Sequence, residues 1–305
     1  MSGKLILIAG PTASGKSSLG INLAKKINGE IINADSMQVY KEFSVLSSRP
    51  KKKDLTQVKH HLYGFISVKD HFSAGTWLNL LKKTISKCVK NKKIPIVLGG
   101  SGLYFNTITM GISKIPHIDS KTRIFVRNLH KEIGQTEFYK KLLSIDPLAE
   151  KKFSSTDTHR SMRAFEVKIY TKKSLYEWVS KTKSDFLNFD IKKFYIDIPK
   201  EDLLTNISKR TENMFSNKCI NEVRKFIKIR IDRSLSANKL IGVKEIRDYL
   251  NNLNSLEKTK ELINIKTRQY AKRQNTWSRG HMKNWNKIYS KNLSILTKKI
   301  LKEIS

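Results

Sequence analysis

The stretch Lys4-Leu-Ile-Leu-Ile-Ala9, followed at once by Gly10-Pro11-Thr12-Ala13-Ser14-Gly15-Lys16-Ser17, decides the fold. A short apolar run closed by glycine reads as a buried strand. The next segment fits GxxxxGK[ST], and helical spacing resumes from about Lys16 to Ile27. Strand, glycine-rich loop and helix start, in that order, make a phosphate cradle. The glycines let successive N–H groups point inward, and the helix N-terminus adds partial positive charge. The diphosphate-binding set is therefore Gly10, Pro11, Thr12, Ala13, Ser14, Gly15, Lys16 and Ser17. Lys16 supplies a mobile cation, and the Ser17 hydroxyl is placed to ligate a Mg²⁺ bridging phosphate oxygens. The motif does not name the reaction, because kinases, NTPases and other transferases share it.

Working outward, Glu30–Ala34 reads as a second strand, Thr76–Val89 as a helix and Ile94–Leu98 as a third strand. Strands alternating with helices predict an α/β core with a parallel sheet covered on both faces. In such a sheet, ligands sit beyond the carboxyl ends of the strands. Asp35, Ser36, Met37 and Gln38 follow the second strand directly. Asp35 is placed to act as a base or to bind the metal, and the Gln38 amide suits an adenine edge. The third strand ends in Gly99-Gly100-Ser101-Gly102-Leu103-Tyr104, which brings the Ser101 hydroxyl to the same edge.

After Gly111 the texture changes. Residues 117–190 read as consecutive amphipathic helices, with starts at Asp119, Asp146-Pro147 and Asp157. One helix carries His159, Arg160, Ser161, Met162 and Arg163. Its basic residues share a face, while Met162, Phe165 and Ile169 line another that suits a core. Phe194–Ile198 returns to strand pattern, so the helical stretch reads as an insert in the α/β core. The expected organisation is a first core part at 1–113, a helical insert at 114–192, a second core part with basic helices at 193–285, and a basic tail at 286–305. In the later helix, Ile263, Tyr270 and Trp277 are seven apart and read as core-facing. Arg268 and Lys272 pair at i,i+4 on a basic face, and Arg273 and Gln274 with the aromatics suit RNA.

The chain has 305 residues, with 60 Lys+Arg against 26 Asp+Glu, a net charge of +34. The excess is concentrated: residues 267–305 carry ten basic residues and one acid, Glu303. That distribution favours a polyanionic partner. No apolar stretch is long enough to span a membrane. The two cysteines, Cys88 and Cys219, lie far apart, and no signal peptide is read at the start, so a reducing cytoplasm is expected. His60-His61 has no companion Cys, His or carboxylate at metal-ligand spacing, and zinc is not expected there.

Taken together, GPTASGKS, DSMQVY, GGSGLY, the HRxxR helix and TRQYAKRQNTW resemble the tRNA dimethylallyltransferases, in order and spacing from about Gly3 to Arg279. The resemblance implies a P-loop core with a helical insertion that closes on a tRNA anticodon stem-loop, acting as a monomer. The implied reaction moves a dimethylallyl group from dimethylallyl diphosphate to N6 of the adenosine 3′ of the anticodon, in tRNAs reading codons that begin with U. It makes Asp35 the general base and Lys16 and Ser101 its catalytic partners. It assigns to tRNA Asp35, Ser36, Met37, Gln38, Ser101, Arg123, His159, Arg160, Ser161, Met162, Arg163, Lys239, Arg268, Lys272, Arg273 and Gln274. His159, Lys239, Val243 and Ser278 depart from the family's usual residues. Three alternatives stand beside it: a P-loop kinase of a nucleotide or metabolite, a prenyltransferase acting on free adenine nucleotides, and a nucleotide-sensing RNA-binding protein without activity.

Overall fold

The structure is a computed structural model that describes residues 3–232 and 235–304. The elements, in chain order, are β1 (Gly3–Ala9), α1 (Lys16–Lys26), β2 (Gly29–Asn33), α2 (Lys52–Leu55), β3 (His60–His61), α3 (Ala74–Lys90), β4 (Ile94–Gly99) and α4 (Gly102–Thr109). Then come α5 (Ser120–Ile145), α6 (Thr158–Thr171), α7 (Leu175–Ser180), β5 (Phe189–Ile196), α8 (Lys200–Met214) and α9 (Asn217–Ile229). The last are α10 (Val243–Leu250), α11 (Leu256–His281), β6 (Asn286–Ile288) and α12 (Leu293–Ile304). The chain forms two compact units: 1–108 with 186–305, and 109–185.

The first unit is built on a parallel sheet in the order β3-β2-β4-β1-β5-β6. Alternate residues of a strand face opposite sides, and β1 is apolar on both. Ile6 and Ile8 join Leu19 and Leu23 of α1, Leu203 and Ile207 of α8, and Leu296 and Ile300 of α12. Leu5 and Leu7 join Trp77, Leu81 and Ile85 of α3 and Phe105 of α4. Each fully buried side chain of this size contributes roughly 1.5–3 kcal/mol, which is why β1 sits at the centre of the unit. A third core packs Val39, Phe43 and Leu46 against Val223 and Phe226 of α9 and Ile246 of α10.

Three sequence expectations change here. Residues 286–305, expected as a basic tail, form β6 and α12. β6 pairs with β5 through Phe194↔Asn286 and Ile196↔Ile288, and the Lys4 ammonium donates to the Ile304 carbonyl. Lysines hide the pattern, but Leu296, Ile300 and Ile304 lie four apart and are buried. The strand predicted from Phe194 begins at Phe189. Asp190, Lys192 and Lys193 interrupt its apolar run, yet Gly3 to Ala9 pair along its length. The edge strand β3 has no counterpart in the sequence reading, because two histidines carry no strand pattern.

The helical unit has its own core of Val126, Phe138, Leu142, Ala149, Ala164 and Phe165. Asp119 and Asp157 cap helices as predicted, accepting from Thr122 N at 2.6 Å and Arg160 N at 3.0 Å. Asp146-Pro147 opens only a three-residue 3₁₀ turn. Asp146 is buried and accepts instead from the Ser174 hydroxyl at 2.9 Å. α5 breaks at Gly134, where φ is +73°. Among the described residues no helix is long and apolar enough to cross a membrane.

Candidate active site

The parallel sheet brings the carboxyl ends of β1, β2 and β4 to one edge. At β1 the chain turns into the P-loop, where Ala13 (φ +61°) and Gly15 (φ +85°) take left-handed conformations that curl the backbone. Gly15 carries no side chain at the N-cap of α1, which leaves that helix end open to an anion. Lys16 turns back over its own loop, donating to Pro11 O at 2.5 Å and Ser14 Oγ at 3.4 Å. Burial pushes its ammonium down to about 7; Asp35 opposes that shift and Arg210 adds to it. A cation this short of compensating charge is poised for an anionic ligand. Ser17, in the first turn of α1, is exposed.

At the end of β2, Asn33 organises Asp35. Its buried side chain donates from Nδ2 to Asp35 O at 2.9 Å and Leu62 O at 3.0 Å, and its Oδ1 accepts from Asp35 N at 2.8 Å. Trp77 Nε1 donates to Asn33 O at 2.9 Å. Asp35 Oδ1 accepts from Met37 N at 2.9 Å, which fixes the carboxylate's rotation and leaves Oδ2 as the second acceptor. The Ser101 hydroxyl ties the β2 and β4 loops together, accepting from Ser36 N at 3.0 Å and donating to Ser36 Oγ at 3.3 Å.

Two later helices complete the edge. From α8, Arg210 Nη1 donates to Thr12 Oγ1 at 2.6 Å; burial holds its guanidinium below the usual arginine range, and Asp35 partly offsets this. From α11, Gln274 bridges two loops: its Oε1 accepts from Thr12 N and its Nε2 donates to Gly100 O, both at 2.8 Å. Gly100 permits this approach, since a Cβ there would stand 2.2 Å from Gln274 Nε2. Gly102 likewise makes room for the Trp277 indole, because a Cβ on it would fall 2.3 Å from the ring.

Two cavities flank these groups. One, of about 270 Å³, is lined by Asp35, Thr12, Arg210, Lys239, Tyr270 and Arg273 among others. The other, of about 230 Å³, is largely apolar and lined by Gly10, Ser101, Phe105, Trp277 and Met282, again with Tyr270 and Arg273. Tyr270 and Arg273 thus border both. Burial and the neighbouring Asp35 raise the Tyr270 phenol above its ordinary range, so it stays protonated as a donor.

Several residues sit differently from their sequence reading. Ile263 is buried in the core as expected, and Trp277 packs against the core while also lining the apolar cavity; Tyr270 instead lines both cavities, with Ala271 beside it buried. Aromatics at helical spacing look the same in sequence whether they meet a core or a cavity. Both N–H donors of Gln38 are spent on Ser47 O and Ser48 O, at 3.0 and 2.9 Å, so its amide pins the loop instead of presenting donors to a base. Glu222 secures the same loop by accepting from the amides of Ser44, Val45 and Leu46. Arg268 and Lys272 lie away from Asp35, on a groove of about 900 Å³ that also carries Lys200, Arg279, Lys283 and Lys287.

In the helical unit, His159 and Arg160 are exposed, and Arg160 pairs with Asp157 at 3.4 Å. Arg163 pairs with Glu166 at 3.4 Å. Ser161 is fully buried, donating to Asp157 O and accepting from Gln135 Nε2, and Met162 packs on that unit's core. These two hold the helix in place. Arg123 Nε is buried without a hydrogen-bond partner among the described residues. Sequence reasoning misses Asn33, Arg210 and Tyr195, whose hydroxyl donates to Asn275 Oδ1 at 2.6 Å. Asn33 carries a usable signal, a polar residue at an inward strand position next to Asp35; Arg210, one of many basic residues on a polar helix, carries none.

Comparison with known proteins agrees with this geometry. The profile described as IPP transferase matches residues 38–281. The chain is 50% identical to a tRNA dimethylallyltransferase of Pelagibacter ubique over 299 residues, covering 98% of this chain and 96% of the relative. It is 40% identical over 274 residues to one from Rickettsia massiliae, covering 90% and 76%. Among solved structures, a full-length tRNA isopentenylpyrophosphate transferase from Bacillus halodurans superposes with a TM-score of 0.69 at 27% identity, covering 99% and 96%. A eukaryotic dimethylallyltransferase acting on tRNA superposes with a TM-score of 0.78 at 26% identity, covering 90% and 69%.

Proposed function

Because the chain belongs to the IPP transferase family and catalyses prenyl transfer to a tRNA adenine, we propose that dimethylallyl diphosphate is the donor and adenine N6 the acceptor. The observation that carries the assignment is the approach of the Lys16 ammonium to Asp35 and Arg210, beside two cavities that the P-loop borders at Gly10 and Thr12 and that share Tyr270 and Arg273. The P-loop amides and Lys16 bind the diphosphate, with Lys16 exchanging its Pro11 carbonyl for phosphate oxygens. The prenyl chain occupies the apolar cavity beside Trp277, and the adenine enters the Asp35 cavity.

Attack forms the bond from N6 to the first prenyl carbon as that carbon's bond to oxygen breaks. The electron pair leaves with the diphosphate, and the developing charge meets donors already in place. N6 loses a proton as it alkylates, and Asp35 Oδ2 accepts it. Ser101 keeps the Asp35 loop in register with β4 through Ser36. Mg²⁺ suits the donor set, since an exposed hydroxyl and phosphate oxygens are hard oxygen ligands. Ser17 would hold it, and the ion would supply further charge neutralisation of the diphosphate.

The acceptor is the adenosine immediately 3′ of the anticodon, in tRNAs reading codons that begin with U. Lys239 and Arg273 at the cavities and the exposed His159 and Arg160 of the helical unit contact the RNA. The enzyme acts as a monomer in the cytoplasm. The relatives named are tRNA prenyl transferases, which favours alkyl transfer over a kinase reaction. Asp35→Asn tests the assignment: the rate of transfer falls by about 10²–10⁴-fold while pyrophosphate affinity is retained. Full activity in this variant would remove Asp35 from the chemistry.

A further inference from the structure

The His60-His61 pair has no metal-ligand spacing in the sequence, but the fold supplies what the spacing lacks. Glu30 at the start of β2, His61 on β3 and Cys88 near the end of α3 meet toward the amino ends of the strands, the sheet edge opposite the P-loop. His61 Nε2 lies 2.6 Å from Glu30 Oε2, and Cys88 Sγ donates to the same oxygen at 3.4 Å. The three donor atoms all fall within 4.8 Å of one another. Glu30 is 6% exposed and Cys88 fully buried.

We propose that Glu30, His61 and Cys88 form a second cation site, built for Zn²⁺ or a similar divalent transition metal. The donor set is the first argument. One thiolate, one imidazole and one carboxylate are zinc ligands, and the sulfur and nitrogen exclude Mg²⁺ and Ca²⁺ as natural occupants. Charge is the second. A thiolate and a carboxylate neutralise a divalent ion, so the loaded site carries no net charge where a buried charge would be costly. Geometry is the third. Ligand bonds of about 2.0–2.3 Å put donor atoms of a tetrahedron roughly 3–4 Å apart, close to the separations already present.

The fourth position falls to water on the side where the His61 side chain is 15% exposed. Lys59, whose ammonium stands 4.0 Å from Glu30 Oε1, is 54% exposed and free to swing into solvent once the metal neutralises the carboxylate. Loading releases the Cys88 proton to solvent, and His61 ligates through Nε2 as the neutral imidazole with its proton on Nδ1. Burial, then the Glu30 charge beside it, pushes the Cys88 thiol up to about 12. Metal uptake therefore competes with a proton and strengthens as pH rises. The metal would tether the two-residue β3 to β2 and α3, at the sheet edge away from the transfer site.

The test is a Co²⁺ titration of the full-length, chelator-treated protein followed by absorption. The expected result is one Co²⁺ per chain with a sulfur-to-cobalt charge-transfer band, bleached by added Zn²⁺. Cys88→Ser abolishes the band, His61→Gln weakens binding by about tenfold or more, and Cys219→Ser, in a separate core, keeps both. If Cys88→Ser fails to fold, the wild-type titration and its reversal by Zn²⁺ still decide. No band at millimolar Co²⁺ in the wild type, or a band that survives in a folded Cys88→Ser protein, overturns the proposal and leaves a hydrogen-bonded triad.

Discussion

At the scale of single residues, the site depends on side chains that hold other side chains. Asn33 is the clearest case. Its side chain makes three hydrogen bonds, two of them to the peptide groups of Asp35. Asn33→Ala leaves buried donors and acceptors without partners, at a cost of about 1–3 kcal/mol. It also loosens the base, so kcat falls while KM for the diphosphate changes little; chemical denaturation and steady-state kinetics on the same variant check both halves. Lys16 gives a second prediction. Its depressed value means that between pH 7 and 10.5 the unfolded chain holds a proton the folded one lacks, so its contribution to stability rises with pH across that window. Pyrophosphate restores the charge, so binding near pH 8 takes up a proton. Calorimetry in buffers of different ionisation enthalpy measures that uptake, and binding with none would contradict the arrangement. Among residues, Gly10–Ser17, Asp35 and Ser101 are legible because short-range chemistry announces them. Arg210 is not, because its meaning comes from a contact with Thr12, which is 198 positions away in the chain.

At the scale of elements, the parallel core can be read wherever strands are purely apolar. β1, β2 and β4 follow from their composition. β5 reads short because three charged residues interrupt it, and β6 with α12 reads as a tail because lysines dilute the apolar spacing. α12 nonetheless closes the sheet face over α1. Ile300→Ala is therefore expected to cost about 2–5 kcal/mol, a loss that a disordered tail would not produce and that urea unfolding would register. α11 shows the opposite difficulty. Its period is plain in the sequence and Ile263 is buried as expected, but not every residue of the expected stripe meets the core. Ala271 meets the core and Tyr270 borders both cavities, while Trp277 both packs on the core and lines the apolar cavity. Periodicity reports that a helix has a face; which of two adjacent stripes is buried depends on partners that lie elsewhere in the sequence.

At the scale of the whole molecule, a charge of +34 matches a partner as anionic as tRNA. The groove carrying Arg268, Lys272, Arg279, Lys283 and Lys287 offers one surface of the α/β unit on which basic residues cluster. Affinity for tRNA is expected to fall steeply with salt, by about 10³-fold or more between 50 and 200 mM if six or more phosphates are contacted. Replacing Arg268 and Lys272 together lowers that slope by about two contacts' worth, and filter binding across a salt series checks it. An unchanged slope would place the RNA elsewhere on the molecule. The most direct test of the central claim is to mix the protein with labelled dimethylallyl diphosphate, Mg²⁺ and an unmodified anticodon stem-loop, then digest the RNA and identify the labelled nucleoside. The expected product is N6-dimethylallyl adenosine from the position 3′ of the anticodon, with none from Asp35→Asn. Label on free adenine nucleotides in preference to the stem-loop, or no transfer at all, would contradict it.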